Sequence, residues 1–164
     1  MINAVVFDLD GTLINLPVDY DELFQEFSKV AKGKNIRPLT KTLPKLEETV
    51  RKRIFAIWNK AESEAFTNAT INTKGMVLYE KFRTEPKALV TMQGKLLVQK
   101  FLNNFSLSFD FVITRENSLD RVEQLKIAAE KLKVPFENML FIGNTDDDLS
   151  AAKKLGCQFL KVEK

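Results

Sequence analysis

The run Val5-Val6-Phe7-Asp8-Leu9-Asp10-Gly11-Thr12-Leu13 carries an apolar stretch straight into two carboxylates one residue apart. An uninterrupted apolar stretch reads as a strand buried on both faces, and Gly11 marks where the chain turns. Two acids therefore stand at the carboxyl end of a buried strand, where open α/β sheets bind ligands. Side chains two apart on a strand share a face, so Asp8 and Asp10 can act together if the extended geometry continues that far. One carboxylate can attack as a nucleophile and help hold a cation. The other can protonate a leaving group and then activate a water. Read only as turn residues, the same two acids would be solvated and inert. A second acidic run, Asp146-Asp147-Asp148, follows the apolar Met139-Leu140-Phe141-Ile142 and Gly143.

The composition narrows the chemistry. None of the 164 residues is histidine and one is cysteine. Ser-His-Asp and Cys-His catalysis, His-ligated zinc and a phosphohistidine carrier are thereby excluded. Cys157 has no partner for an intrachain disulfide and reads as a small buried hydrophobe near the last strand. The net charge of +3 is weak and the 25 basic residues are spread along the chain, so no nucleic-acid partner is expected. The most cationic stretches, residues 29–37 and 41–53, read as solvated helix faces. Apolar residues make up 45% of the chain and 13 are Phe, enough for a packed core in one domain or a small core with an insertion. With neither a signal peptide nor a twenty-residue apolar span in view, the expectation is a soluble cytoplasmic protein with no membrane partner. Oligomeric state leaves no mark in the sequence.

The elements that must position these acids follow from periodicity. Leu23, Phe24, Phe27, Val30 and Ala31 recur at helical spacing over residues 19–32, and Gly33 ends that helix. A helix beginning at Thr40 or Thr42 carries the stripe Leu46, Val50, Ile54, Ile57 and Trp58. A third spans residues 74–82, ahead of Pro86. Residues 16–83 thus read as helical, with no good strand, and their stripes as packing faces. From Lys87 onward strands and helices alternate: strand 88–91, helix 95–103, strand 109–113, helix 119–132, strand 139–142, helix 148–155 and strand 158–162. Such alternation implies an α/β fold with a parallel sheet and right-handed crossovers. The first strand belongs to the same sheet, so residues 16–83 interrupt it as an insertion.

Asp8, Asp10, Gly11, Thr12 and Leu13 complete the signature Asp-x-Asp-Gly-Thr-Leu. On these residues the chain resembles the haloacid dehalogenase-like (HAD) hydrolase superfamily, in its capped, phosphoglycolate phosphatase-like form. The resemblance implies a Rossmann-like, doubly wound parallel core (residues 1–15 and 84–164) with an α-helical cap inserted at 16–83. It covers the core and is vague in the cap. It makes Thr91, at the end of the second core strand, a hydroxyl donor to a phosphoryl oxygen rather than an ordinary β-branched strand residue. Residues 141–148 resemble the motif Gly-Asp-x-x-x-Asp, with Gly143 aligned, Asn144 at the first acid and Asp148 at the second. Leu149-Ser150-Ala151-Ala152 and Gly156 fit the pattern downstream. Asn144 is a departure: it keeps a carbonyl oxygen as a ligand but removes a negative charge. Metal affinity then drops, or Asp147 or Asp148 carries more of the binding. The same acids suit a helix amino terminus. The family's Lys or Arg before the fourth strand lacks its usual Lys-Pro context here, and none follows Arg115. Arg121, in the first turn of its helix, is the choice, with Lys95 and Lys126 as alternatives and a solvated surface arginine as the plain reading.

The resemblance further implies Mg²⁺-dependent hydrolysis of a small phosphomonoester metabolite through an aspartyl-phosphate on Asp8, with Asp10 as general acid and base. Mg²⁺ would be held by Asp8, the Asp10 carbonyl and Asp148, with Asn144 assisting. Thr91, Arg121 and the backbone N–H groups of Leu9 and Asp10 would hold the phosphoryl oxygens. Asp10 argues against a dehalogenase, which has no leaving alkoxide to protonate. A phosphomutase would carry the same core motifs. A phosphonate hydrolase would need a Schiff-base lysine from the cap, and no cap lysine stands out. A non-catalytic phosphate-binding or interaction protein is the reading from a different class, supported by Asn144 and the indistinct third motif. The cap would set the substrate. Its bulky residues are Phe24, Phe27, Phe55, Trp58 and Phe66, and the sequence does not say which line a cleft. A closing cap favours phosphoglycolate, a sugar phosphate or a nucleotide over a phosphoprotein.

Overall fold

The computed structural model describes residues 1–163. Five parallel strands form the sheet: β1 (Ala4–Phe7), β4 (Lys87–Val90), β5 (Phe111–Ile113), β6 (Met139–Gly143) and β7 (Gln158–Lys161), in the order β5-β4-β1-β6-β7. The chain steps outward from β1 to β4 and β5, then crosses back to β6 on the other side of β1. That reversal opens a crevice at the carboxyl end of β1, where Asp8 and Asp10 lie.

β1 is buried throughout because it has neighbours on both edges and helices on both faces. Its side chains alternate between two cores, as a strand's period of two requires. Val5 and Phe7 pack with Leu89, Leu97, Phe101 and Ile142, the helical share coming from α5 (Lys95–Phe105). Val6 packs with Val90, Leu125, Ala128, Phe141 and Ala151, the helical share coming from α6 (Arg121–Leu132) and α7 (Asp146–Leu155). The alternation of strands and helices predicted from residue 87 onward is therefore present, in a doubly wound, Rossmann-like sheet.

Between β1 and β4 lie α1 (Tyr20–Val30), the single turn α2 (Leu39–Thr42), α3 (Glu48–Phe66) and α4 (Thr73–Lys81). Leu23, Phe27, Ile36, Leu43, Ile54 and Trp58 give this region a core of its own, so its stripes are packing faces as the periodicity predicts. Two expectations are corrected. The helix anticipated from Thr40 or Thr42 starts at Glu48, because Pro44 sits in a short 3₁₀ turn (Leu43–Lys45) and supplies no N–H to an α-helix. The region is also not free of strand: β3 (Thr70–Ile71) pairs antiparallel with β2 (Ile14–Asn15). Two-residue strands are too short to show a period, so only the fold reveals them. Elsewhere the ends move by a few residues. Side-chain caps set two of them: Asp120 starts α6 at Arg121, and Thr145 starts α7 at Asp146 rather than Asp148.

No helix among the described residues is long and apolar enough to cross a membrane. Cys157 is half-buried against the second core, and burial pushes its thiol up to about 11, which leaves it protonated and unreactive at neutral pH.

Two contacts bind the helical region to the carboxyl edge of the sheet. At α4, a Cβ built on Gly75 would lie 1.7 Å from the Thr12 carbonyl oxygen, so the helix approaches the loop after β1 as only glycine permits. Asn72 caps that helix by accepting from the Lys74 and Gly75 N–H groups, and its own amide donates to the Gly11 carbonyl at 3.3 Å. At α3, the buried Glu62 carboxylate accepts from Arg115 Nη1 at 2.8 Å and from the Gly94 N–H at 3.1 Å. Arg115 also donates to the Met92 carbonyl and to Asn59, and its guanidinium stacks 4.1 Å from the Trp58 ring centre. Burial pushes the Glu62 carboxyl up despite this partner.

Gly75→Ala should lower stability by about 1–3 kcal/mol in urea unfolding, since the methyl can be admitted only by moving backbone. Glu62→Ala should cost about 3–5 kcal/mol in the same assay, because it strands the Arg115 charge in the interior.

Candidate active site

Asp8 follows β1 directly, and its N–H donates to the Ile142 carbonyl at 2.9 Å, which carries the ladder one residue past the strand. The chain then turns tightly. Gly11, at φ +81°, donates to the Ile14 carbonyl, and a side chain there would strike the Asn144 amide. The turn leaves Asp8 5% exposed. Asp10 is half-buried, and its carboxylate accepts from the Leu16 N–H at 2.9 Å.

Arg121 organises the centre. It occupies the first position of α6, and its Nη2 donates to Asp8 Oδ1 at 3.1 Å while its Nε donates to Asp148 Oδ1 at 3.0 Å. One guanidinium thus spans two carboxylates from different strand ends. Lys95 and Lys126, the alternatives in sequence, are both solvent-exposed. The third prong of the guanidinium, Nη1, donates to Gln124 Oε1 at 2.7 Å. Gln124 is fully buried, and its Nε2 donates to the carbonyls of Thr91 and Ser118, each at 2.8 Å. Gln124 was not anticipated. Its one signal in sequence is the i,i+3 spacing from Arg121 on the same helix.

Asp148 does two jobs. It is the third residue of α7 in a capping box, with its Oδ2 accepting from the Asn144 and Thr145 N–H groups at 3.2 and 3.3 Å. Its other oxygen faces Arg121. Asp146 and Asp147 are exposed at the start of the helix, where acids favour the dipole. The two readings of the acidic run therefore divide among its members: Asp148 faces Arg121, while Asp147 is exposed and lines the cleft beside it.

Asn144 lies against both Asp8 and Asp10. One end of its amide is 3.0 Å from Asp8 Oδ2 and 3.2 Å from the Asp10 carbonyl oxygen. With nitrogen at that end both contacts are hydrogen bonds. Thr91 is less directly placed. It is fully buried just past β4, and its hydroxyl bonds the side chain of Gln93 and accepts from the Gln93 N–H at 3.0 Å. Gln93 in turn donates to the Tyr20 hydroxyl of α1 at 3.3 Å. Thr91 meets the acids only through its carbonyl, by way of Gln124 and Arg121. The Leu9 N–H, expected to face a phosphoryl oxygen, acts on the Asp8 carboxyl and favours its charged form.

The electrostatics are lopsided. Burial pushes the Asp8 carboxyl above the usual carboxylate range, and Arg121 pulls it back. Asp148 and Asp10 push it up further, and the Leu9 N–H opposes them. Arg121 pairs with Asp8 and Asp148 while Asp10 stands beside Asp8, an excess of negative charge that favours a cation. A cleft of about 530 Å³ reaches Arg121 and Asp148, with Met92, Lys41 and Lys154 among its walls. Another of about 330 Å³ reaches Asp10 between Leu16 and Asn68.

The arrangement can be set against known proteins. Residues 5–162 match the family model of haloacid dehalogenase-like hydrolases. An uncharacterized hydrolase of Saccharomyces cerevisiae is 27% identical over 168 residues, covering 95% of this chain and 75% of its own. A haloacid dehalogenase-like family hydrolase from Streptococcus pneumoniae superposes with a TM-score of 0.68 at 20% identity, over 98% of this chain and 84% of that one. A HAD family enzyme from Bacteroides thetaiotaomicron, solved with magnesium and inorganic phosphate, superposes with a TM-score of 0.62 at 17% identity, over 99% and 95%. The matched model runs from β1 through β7 and so takes in the acids, the arginine and the strands that carry them: this chain belongs to the haloacid dehalogenase-like hydrolase family.

Proposed function

We propose that the chain is a phosphatase that hydrolyses a small phosphomonoester metabolite by way of a phosphoryl group carried on Asp8. The observation that carries this reading is the Arg121 bridge between Asp8 and Asp148 at the carboxyl edge of the sheet. That contact pulls the buried Asp8 carboxyl back toward its ionised form and holds it in one orientation. The Bacteroides thetaiotaomicron structure, with its magnesium and phosphate, is a further support.

The steps follow from the residues in place. A carboxylate oxygen of Asp8 attacks phosphorus as the bond to the ester oxygen breaks. Asp10, protonated, gives its proton to the departing alkoxide. The resulting Asp10 carboxylate takes a proton from a water, whose oxygen attacks phosphorus and displaces Asp8. Phosphate is released and both acids return to their starting states. Arg121 is placed to share charge between Asp8 and the equatorial phosphoryl oxygens. Gln124 fixes the guanidinium, so its position costs little reorganisation during the reaction.

The donor set fits magnesium. Asp8 Oδ2 and the Asp10 carbonyl converge on the single point now taken by the Asn144 amide, and every ligand on offer is oxygen. Among the described residues no three acidic or sulfur side chains form a ready metal cage. Magnesium does not require one, since it binds through one or two carboxylates and completes its shell with water and substrate phosphate. Asp8, the Asp10 carbonyl, Asp148 and Asn144 would hold the ion, which when bound neutralises charge on the phosphoryl group.

The helical region serves as a cap in this reading. Tyr20 and Glu62 reach from it to Gln93 and Gly94 on the loop after β4, and Asp8 is almost sealed from solvent. Such closure admits a metabolite and excludes a phosphoprotein.

Turnover of para-nitrophenyl phosphate should require Mg²⁺ and vanish on chelation. Asp8→Asn should abolish it while leaving the thermal midpoint close to that of the parent; undiminished activity in this variant would defeat the mechanism. Arg121→Met should lower kcat by about 10²–10³-fold, the loss expected when one preorganised charge contact is removed.

A further inference from the structure

The ester oxygen that leaves phosphorus must lie against the Asp10 carboxyl, and it departs in line with the attacking Asp8 oxygen. The alcohol attached to it therefore occupies the space that Asp10 borders. That space is the smaller cleft, of about 330 Å³, walled by Asp10, Asn15, Leu16, Pro17, Asn68 and Thr70. The larger cleft has Arg121 and Asp148 in its walls but not Asp10, so it lies on the phosphoryl side of the reaction.

The walls of the smaller cleft have a definite chemistry. Two amides and a hydroxyl supply neutral hydrogen-bonding groups, Leu16 and Pro17 are apolar, and Asp10 supplies the one charge. Asn15 and Thr70 are direct partners in the β2–β3 ribbon, which puts their side chains on one face. The Asn15 amide oxygen is out of solvent and accepts from no donor in the protein. Such an acceptor is costly until a donor reaches it. A ligand hydroxyl can donate to it, whereas a carboxylate or phosphate oxygen cannot. The adjoining groove shares Pro17 and Asn68 with this cleft, and it carries Asp19, Glu22, Glu26 and Glu64 against Lys60 alone. An anionic tail would meet like charge from Asp10 on one side and from that groove on the other. None of the six wall residues is aromatic, so a nucleobase has no ring to stack on. The volume also sits at the small end of the range for ligand sites.

We propose that this cleft is the leaving-group subsite and that it selects a neutral, polyhydroxylated alcohol, making the substrate a sugar or polyol phosphate rather than phosphoglycolate or a nucleotide. The proposal rests on the phosphatase reading, which makes Asp10 the group that meets the ester oxygen. Asn15, Asn68 and Thr70 then determine specificity by bonding the hydroxyls of the alcohol. The short ribbon that joins the helical region to the loop after β1 is in this way also a wall of the substrate site.

The test runs the full chain in Mg²⁺ against ribose 5-phosphate, glucose 6-phosphate, phosphoglycolate and adenosine 5′-monophosphate. The better sugar phosphate should exceed each of the other two in kcat/KM by at least about ten-fold, the factor expected when a polar partner is left unmatched. Thr70→Val keeps the shape and removes the hydroxyl, and it should shrink that preference about five-fold, chiefly through the KM of the sugar phosphate. Asn68→Lys, at an exposed position, puts a cation in the cleft and should raise phosphoglycolate relative to the sugar phosphate about ten-fold. Either variant suffices if the other does not fold. A parent that prefers phosphoglycolate or the nucleotide would overturn the proposal, as would preferences that neither variant moves. If no phosphomonoester is hydrolysed, the phosphatase reading fails, and titration calorimetry of the same probes against the parent decides the selectivity of the cleft. A sugar phosphate bound at least about ten-fold more tightly than phosphoglycolate would sustain it; equal affinities, or no binding, would overturn it.

Discussion

Two carboxylates from separate strand ends are buried beside each other, and one guanidinium makes that tolerable. Without Arg121, Asp8 and Asp148 would face each other in a medium too poor in water to screen them. The rest of the centre is arranged to hold this arginine. It opens α6, where the Asp120 cap sets the start of the helix. Gln124, one turn on, takes its remaining prong and ties it to the strand-end carbonyl of Thr91. The capping box at α7 fixes Asp148 from the other side. Helix starts, strand ends and a single cation thus form one connected polar assembly, which is the form in which buried polar groups are least costly.

A second constraint is the loop after β1. It must hold Asp8 and Asp10 at defined angles, yet it is irregular chain with backbone groups to satisfy. α4 supplies the brace, through the Gly75 approach to Thr12 and the Asn72 bonds to Gly11 and the helix start. The helical region is therefore not an independent lobe resting on the sheet. It contributes contacts at the loop after β1, and through Glu62 and Tyr20 at the loop after β4. Arg115 deepens the second connection. It is fully buried, stacked on Trp58 and paired with Glu62, so parting α3 from the sheet exposes an ion pair that now lies out of water.

What the residues disclosed before folding was local. Apolar runs ending in acids marked β1 and β6, and those strand ends are where Asp8 and Asp148 lie. Arg121 was legible as a first-turn cation, and of the three it is the one that lies against Asp8, while Lys95 and Lys126 are solvent-exposed. The groups that escaped notice all act across the fold. Gln124 gains its meaning from contact with Arg121 and Thr91. Glu62 and Arg115 are 53 positions apart and look like two surface charges until the topology stacks α3 on the strand ends. The strands β2 and β3 are too short to carry a period. Thr91 sits where the resemblance put it, but its hydroxyl is engaged by Gln93, which in turn donates to Tyr20, a chain of contacts invisible in the spacing of those residues. Periodicity and motif place elements and their ends; long-range polar partners come only from the assembled fold.

The account stands on Asp8 as the atom that receives the phosphoryl group. Acid quenching during turnover of a phosphomonoester, followed by borohydride reduction and peptide sequencing by mass spectrometry, reads this directly. A phosphorylated carboxylate is reduced to the alcohol, so the peptide spanning Val5 to Leu13 should carry homoserine at position 8 and nowhere else. Phosphate release from an enzyme whose Asp8 is never reduced, or reduction at Asp10 or Asp148 instead, would contradict it.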